Sequence, residues 1–359
     1  MTVRARRPSV NIGELDPIPR RRRPGVVLAV LAVATPVVAV LMVGVGQLYV
    51  TPGEVVGVVI AGPAAGGGRS IVDTVIWELR LPRVLTGLCV GAVLAATGCA
   101  LQAIVRNDLA DPYLLGVSSG ASLGAAVVIA TGLGAALGVV SATVGAFFGA
   151  IASLVMVVLL LGGGRALSGS RLVLAGLTVG YFMAAVTNLV VVLSDNRDAV
   201  RAVMFWMLGS LGRSSWDELP VLAGSSVVAL SIMILWARRL DAIGLGDDVA
   251  RSLGVDAYRL RLQVTILSAL AIAAAVAVSG AIGFVGLVVP HLARQLVGAG
   301  HRVLIPTSAL IGALVLVAAD ALARTVLSPR EVPLGILTAL LGTPLLMYML
   351  HRRQRFESR

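Results

Sequence analysis

The chain has 359 residues, of which 58% are hydrophobic, and a mean hydropathy of +0.96, more than a water-facing globular surface tolerates. A formal net charge of +11 would suggest nucleic acid in a soluble protein, but here the arginines flank apolar runs. The composition excludes a soluble globular domain and gives no reason to expect a nucleic-acid partner.

The elements follow in chain order as an all-α, polytopic pattern of about ten membrane spans. Residues 1–24, rich in Arg and Pro, read as a disordered basic tail near anionic lipid. Arg20 to Arg23 precede an apolar run too long for a signal peptide and without a small-x-small site, so residues 25–46 are read as a retained first span. An outer segment with the flexible run Gly66-Gly67-Gly68 leads to a second span over 81–105. A short link, 106–112, precedes the third span, which ends near 130, and a glycine-rich turn separates it from the fourth, 137–161. The fifth is 172–193. The apolar piece 203–209 that follows is too short to cross and is read as a short re-entrant outer helix. Span six, 219–236, opens on the longest inner loop, 238–261. Spans seven and eight form a hairpin turning near Gly283, span nine ends near Arg324, and span ten is 334–350. Residues 25–351 thus form one transmembrane domain, followed by a tail at 352–359.

Threading ten spans with the N-terminus inside leaves about 21 arginines on the inner side and about 8 outside, so both termini are expected in the cytoplasm. Small residues recur at every fourth position, as in Gly87, Gly91, Ala95 and Cys99, in Gly116, Gly120 and Gly124, and in Gly145, Gly149 and Ser153. Such stripes let helix backbones approach closely. Cys89 and Cys99 lie about 15 Å apart along one helix, beyond disulfide reach and without metal-ligand spacing.

All 29 Lys+Arg residues are arginines. A P-loop needs its lysine to reach the β- and γ-phosphates, so this chain does not hydrolyse ATP. An ion-coupled carrier needs an ionisable group near the midplane, and Asp320 has Arg324 four residues on, the spacing of a helical ion pair. His291 has no second ligand near it in sequence, so no metal site is expected. Energy must therefore enter from another protein. The inner loop offers the port, because 245–254 reads as a short helix, apolar at Val249, Ala250 and Leu253, with Asp247 and Asp248 at its positive end and Gly254 closing it.

An ordered series of motifs then resembles the FecCD family of importer permeases, which serve iron-siderophore, haem and cobalamin uptake. It runs through Arg80-Leu81-Pro82-Arg83, Asn107-Asp108-Leu109-Ala110-Asp111-Pro112, Leu172-Val173-Leu174-Ala175-Gly176, Trp206 with Gly209, and Leu245-Gly246 with Ala250 and Leu253-Gly254. It closes with Gly283-Phe284-Val285-Gly286, Pro290-His291, Ala319-Asp320 and Pro333-Leu334-Gly335.

The resemblance implies a permease that pairs with a second permease subunit, a copy of itself or a paralogue, with two cytoplasmic ABC ATPase subunits and with an extracytoplasmic solute-binding protein. It holds no cofactor of its own, since ATP and Mg belong to the ATPase. By the same likeness Gly246, Asp247, Ala250, Leu253 and Gly254 form the coupling helix, and Arg80, Arg83 and Arg324 dock the binding protein. The path or its gate falls on Asn107, Leu109, Ser168, Ser170, Met204, Phe205 and Trp206, with Asp108 standing where relatives often have proline. Ferric siderophore is the expected solute, with haem or cobalamin as alternatives. An ion-coupled carrier and an intramembrane enzyme are the competing classes, and three scattered histidines supply no catalytic cluster.

Overall fold

A computed structural model describes residues 23–46, 48–62, 70–132, 140–162 and 168–357, without the side chains of 140–141, 349–350 and 352–357. The segment 1–22, the run Gly66–Gly68 and most of the turn after the third span lie outside the described residues. In chain order the helices are α1 (Pro24–Gly44), α2 (Pro52–Ala61), α3 (Ile71–Val105), α4 (Val117–Thr131), α5 (Val140–Leu161), α6 (Gly169–Val192) and α7 (Arg197–Met207). They continue with α8 (Leu219–Leu235), α9 (Ala237–Gly244), α10 (Asp247–Ser252), α11 (Ala257–Ser279), α12 (Val285–Val297), α13 (His301–Thr325) and α14 (Leu334–Glu357).

Six of these helices are long and apolar enough to cross a membrane, seven if the pair α8–α9, bent by 55°, is one span. The helices α2, α4 and α12 and the stretch Leu334–Tyr348 of α14 are apolar but shorter. Length therefore supports fewer full crossings than the ten expected, and two helices show why. The helix α4 begins only after the 3-10 turn Pro112–Leu115 and Gly116, whose φ is +72°. The expected hairpin of spans seven and eight is a full helix followed by a short one, because Gly280 (φ +67°) and Phe284 (φ +68°) hold an irregular link between α11 and α12.

Two further differences concern helix starts. The second span begins ten residues earlier than expected, since Ser70 and Asp73 form a reciprocal capping box at 3.1 and 3.2 Å. Its first turns, Val75–Arg80, widen to a π-helix, and Trp216 donates its indole N–H to the Trp77 carbonyl (2.8 Å) while stacking on the Trp77 ring. The inner loop is mostly helix, comprising α9, α10 and the start of α11.

The helices α3, α11 and α13 form the buried centre, and α1 lies at the edge with almost all its apolar surface outward. The glycine stripes meet one another. Gly91 of α3 crosses Gly312 of α13, and Gly120 and Gly124 of α4 face Gly149 and Gly145 of α5. A Cβ on Gly149 would lie 2.9 Å from the Gly124 Cα, so these crossings admit no side chain. Large apolar residues such as Val33, Leu159, Leu189, Val227 and Leu340 face outward, the surface that lipid or a partner helix covers.

Candidate functional site

The chemistry-bearing residues gather at the C-terminal end of α3 and in its N-terminal part around Arg80 and Arg83, about 30 Å apart along the helix axis. At its C-terminal end lies α10. This six-residue helix runs between Gly246 (φ +114°) and Gly254 (φ +77°), both in backbone conformations that favour glycine. Leu245, Val249 and Leu253 face outward, Leu253 being 62% exposed, whereas Ala250 is fully buried in the core. Of the five residues expected to meet a partner, Ala250 thus anchors the helix from behind, and the apolar stripe open to a partner is made by its neighbours.

Asp247 is held by Arg261 of α11 through two parallel hydrogen bonds, Nη1 to Oδ2 at 2.8 Å and Nη2 to Oδ1 at 2.7 Å. Arg106 adds an ion pair at 3.6 Å. The Arg261 hydrogen bonds hold the Asp247 carboxyl below its ordinary range, with the charges of Arg261, Arg106 and Arg251 acting in the same direction and burial opposing them.

The predicted gate residues come together beside this joint. Asn107 accepts the Leu109 N–H at 2.9 Å and fixes a tight turn after α3, leaving the Leu109 side chain exposed. Ser168 caps α6, and its hydroxyl lies 3.1 Å from that of Ser170. Gly169 between them packs so closely on Val105 that a Cβ there would come within 2.7 Å of the Val105 Cα. Asp108 is balanced by Arg294 of α12 at 3.0 Å, so this acid ties the turn after α3 to α12.

The re-entrant helix α7 is capped by Asn196, which accepts from the N–H groups of Asp198 and Ala199. Met204 and Phe205 are exposed and Trp206 is buried. The chain leaving α7 is bonded to the ends of two other helices, with Ser210 N–H donating to the Ser279 carbonyl at 2.8 Å and the N–H groups of Leu334 and Gly335 donating to Gly209 and Leu208 at 2.9 Å. Two cavities flank this junction. One, of about 300 Å³, has a wall of mixed polarity that includes Phe205, Trp206, Val278, Arg213, Glu218 and Glu331. The other, of about 480 Å³, is apolar and open, with Tyr113, Met207, Leu208, Ala281 and Ile336 among its walls. The Tyr113 hydroxyl donates to the Ile282 carbonyl (2.9 Å) and accepts from the Ile282 N–H (2.8 Å), replacing the helical bonds lost between α11 and α12.

Around the N-terminal part of α3 the structure brings Arg80, Arg83 and Arg324 together, but it buries them, where exposed cations were expected. Arg80 donates to the carbonyls of Val43, Gly44 and Leu48, and Arg324 to those of Met42 and Val45. Two guanidiniums thus cap the C-terminal turn of α1, whose carbonyls have no helical partners. Arg83 binds Asp320 (Nη2–Oδ1 2.9 Å) and takes Glu331 in a two-bond fork (2.9 and 3.0 Å). Asp320, 1% exposed, also pairs with Arg324 at 3.1 Å, the helical pair that their spacing predicts. No group of three or more His, Cys, Asp or Glu side chains able to hold a metal occurs among the described residues.

Sequence reasoning missed Arg261, Glu331 and Tyr113. Arg261 carried one signal, an arginine one turn inside a mostly apolar helix that follows a short helix opening on Asp247 and Asp248. The partners of Glu331 and Tyr113 lie 248 and 169 residues away and left none.

A helical bundle with an apolar exterior and six helices among the described residues long and apolar enough to cross a membrane is the architecture of a polytopic membrane protein. Residues 33–352 match the FecCD transport family, and the chain belongs to that family. It is 42% identical over 288 residues to a hemin transport system permease of Yersinia pestis, covering 79% of this chain and 85% of the relative. It is 36% identical to an Fe(3+)-citrate import system permease of Bacillus subtilis, covering 95% and 98%. A vitamin B12 import system permease of Vibrio cholerae is 37% identical, covering 88% and 90%. Among solved structures, an ABC transporter assigned to the metal-chelate type, in an inward-facing conformation, superposes with a TM-score of 0.79 at 32% identity, covering 91% of this chain and 99% of that one. The chain is therefore the permease subunit of an ABC importer of the metal-chelate type, a multi-pass membrane protein and not an enzyme.

Proposed function

We propose that this permease forms one half of a path for ferric siderophore complexes, pairs with a second permease subunit, and is driven by two ATPase subunits, one of them seated on α10 and the other on the second permease. The observation that carries the coupling role is the exposed apolar group of Val249 on α10 and Leu245 and Leu253 on either side of it, at the bundle end. The chain has no lysine with which to build its own ATPase, so ATP and Mg are held by the partner. The arginine asymmetry of the loops puts this end, and both termini, in the cytoplasm.

The opposite end then receives the solute-binding protein. There Arg80, Arg83 and Arg324 act as the framework of the docking surface, and the half-exposed Glu331 together with exposed Arg213 and Arg330 forms its outer layer. Met204 and Phe205, exposed on α7, face the path between the two permease subunits. Asn107, Leu109, Ser168 and Ser170 close it on the ATPase side.

The solute reading rests on relatives of the chain that carry iron complexes. Haem is the second reading, favoured by the 42% identity to a hemin permease. The test is co-purification of the ATPase with Leu253→Asp and Val249→Asp, both on the exposed face. Loss of the ATPase with the permease still folded is expected; retention of it, with uptake intact, would overturn the coupling role. Uptake of labelled ferric siderophore or haem by the reconstituted complex with its binding protein decides the solute.

A further inference from the structure

We propose that the Asp247–Arg261 pair is the rigid joint through which movement of α10 reaches the gate, making both of them positioning residues of the transport cycle. The proposal rests on the reading of α10 as the ATPase contact.

The backbone on its own would transmit such movement poorly. The helix α10 has six residues and is flanked by Gly246 and Gly254, so it is hinged on both sides and a push on Leu253 would be absorbed in turning. Two side chains oppose that freedom. Ala250, fully buried, sets the depth of the helix. Asp247 sets its orientation, because the fork from Arg261 consists of two nearly equal bonds, 2.8 and 2.7 Å, and two parallel bonds fix an angle where one fixes only a distance.

The guanidinium is itself immobilised. Arg261 is 2% exposed, and its Nε donates to the Ile104 carbonyl at 3.0 Å. That carbonyl is free for a definite reason. At the left-handed C-cap of α3, Asn107 N–H takes the Gln102 carbonyl and Arg106 N–H takes that of Ala103, leaving the next carbonyl along for Arg261. One side chain thus ties α10, α11 and the last turn of α3 together.

The last turn of α3 leads directly to the gate. Gly169 packs on Val105, one residue beyond Ile104, and Asn107 and Leu109 follow. On the same turn Gln102 donates to the Leu287 carbonyl of α12 at 3.2 Å, and Asp108 pairs with Arg294. A displacement of α10 is therefore delivered at once to α3, α6, α11 and α12.

The test uses the full complex of permease, ATPase and binding protein in liposomes, with ATP hydrolysis and solute accumulation followed in the same sample. For Asp247→Asn and Arg261→Lys the solute accumulated is divided by the ATP hydrolysed by the ATPase that remains bound. Solute moved per ATP should fall by about fivefold or more, with transport kcat lowered and KM unchanged, because a planar fork is replaced by a weaker or single contact. Asp247→Glu keeps a fork and should restore most of the yield, which a structural role would not require. Asp247→Asn is nearly isosteric and partly exposed, so it decides the matter if Arg261→Lys does not fold.

Wild-type solute per ATP in Asp247→Asn would overturn the joint. So would loss of ATPase binding in that variant, which would make Asp247 a direct contact. Leu253→Asp runs in parallel: if it keeps the ATPase bound, the reading of α10 fails, whatever the pair does.

Discussion

Asp320→Asn tests whether the buried arginine cluster is held by charge or by packing. Asp320 is 1% exposed and lies between Arg83 and Arg324, with ion-pair distances of 2.9 and 3.1 Å. The substitution keeps the shape and removes the charge, leaving two buried guanidiniums to face one another. Breaking a buried pair on one side costs about 3–5 kcal/mol. The lower figure applies here, since Arg83 keeps Glu331 and Arg324 keeps the Met42 and Val45 carbonyls. About 3 kcal/mol is roughly a hundredfold in the folded-to-unfolded ratio and a fall in Tm of about 4 °C for a chain of this size. The assay is thermal unfolding of the purified permease in detergent. Glu331→Gln is the control, because Glu331 is 46% exposed and Arg83 keeps Asp320 when it is lost. A solvent-screened partner of this kind contributes about 1 kcal/mol or less. If the two variants melted together, or Asp320→Asn melted with the wild type, charge pairing would not be what holds these helices.

Tyr113→Phe removes the hydroxyl that serves both the N–H and the carbonyl of Ile282. The two backbone groups would lose their partner at a cost of about 1–3 kcal/mol, and hydrogen exchange should rise at Ile282 while α3 and α13 stay protected; unchanged exchange there would show that the link needs no such support. The Asp247–Arg261 pair is expected to be indifferent to physiological pH. Its carboxyl is depressed from 3.8 chiefly by the Arg261 hydrogen bonds, so its contribution is fully present above that value and is lost only as pH falls through the lower folded one. The ratio of wild-type to Asp247→Asn transport per ATP should hold constant from about pH 5.5 to 8, and a ratio that titrates in that window would contradict the pairing.

Most of the bundle was legible because its signals are local. Apolar runs need no partner to declare themselves in lipid, and the four-residue recurrence of Gly120 and Gly124, or of Gly145 and Gly149, announces a close helix crossing without saying which helix is crossed. The structure supplies the answer, α4 on α5. The boundary of α3 was missed although its capping box stands in the sequence, since Ser70 and Asp73 are followed by a tryptophan and two charges that suggest an outer loop. Gly280 and Gly283 announce a turn between α11 and α12 and nothing more. Its shape depends on Tyr113, and no local pattern reports a hydroxyl that arrives from 169 residues away.

The arginines mark the limit of reading charge from sequence. Arg80, Arg83 and Arg324 flank apolar spans, and that pattern is the same whether a guanidinium reaches outward to headgroups or a partner, or inward to carbonyls. What decides is the number of acceptors the fold leaves unfilled nearby. The C-terminal turn of α1 leaves several, and Asp320 and Glu331 add carboxylates, so all three arginines turn inward. The same accounting explains Arg261 at the other end, where the α3 cap leaves the Ile104 carbonyl open. Among the described residues, buried Arg80, Arg261 and Arg324 follow helix termini, and buried Arg83 follows the carboxylates of Asp320 and Glu331. The helix α3 is thus held by charge near Arg80 and Arg83 and again at its C-terminal cap, while the stretch between is packed by glycine, an arrangement in which force applied at one cap moves the helix as a whole.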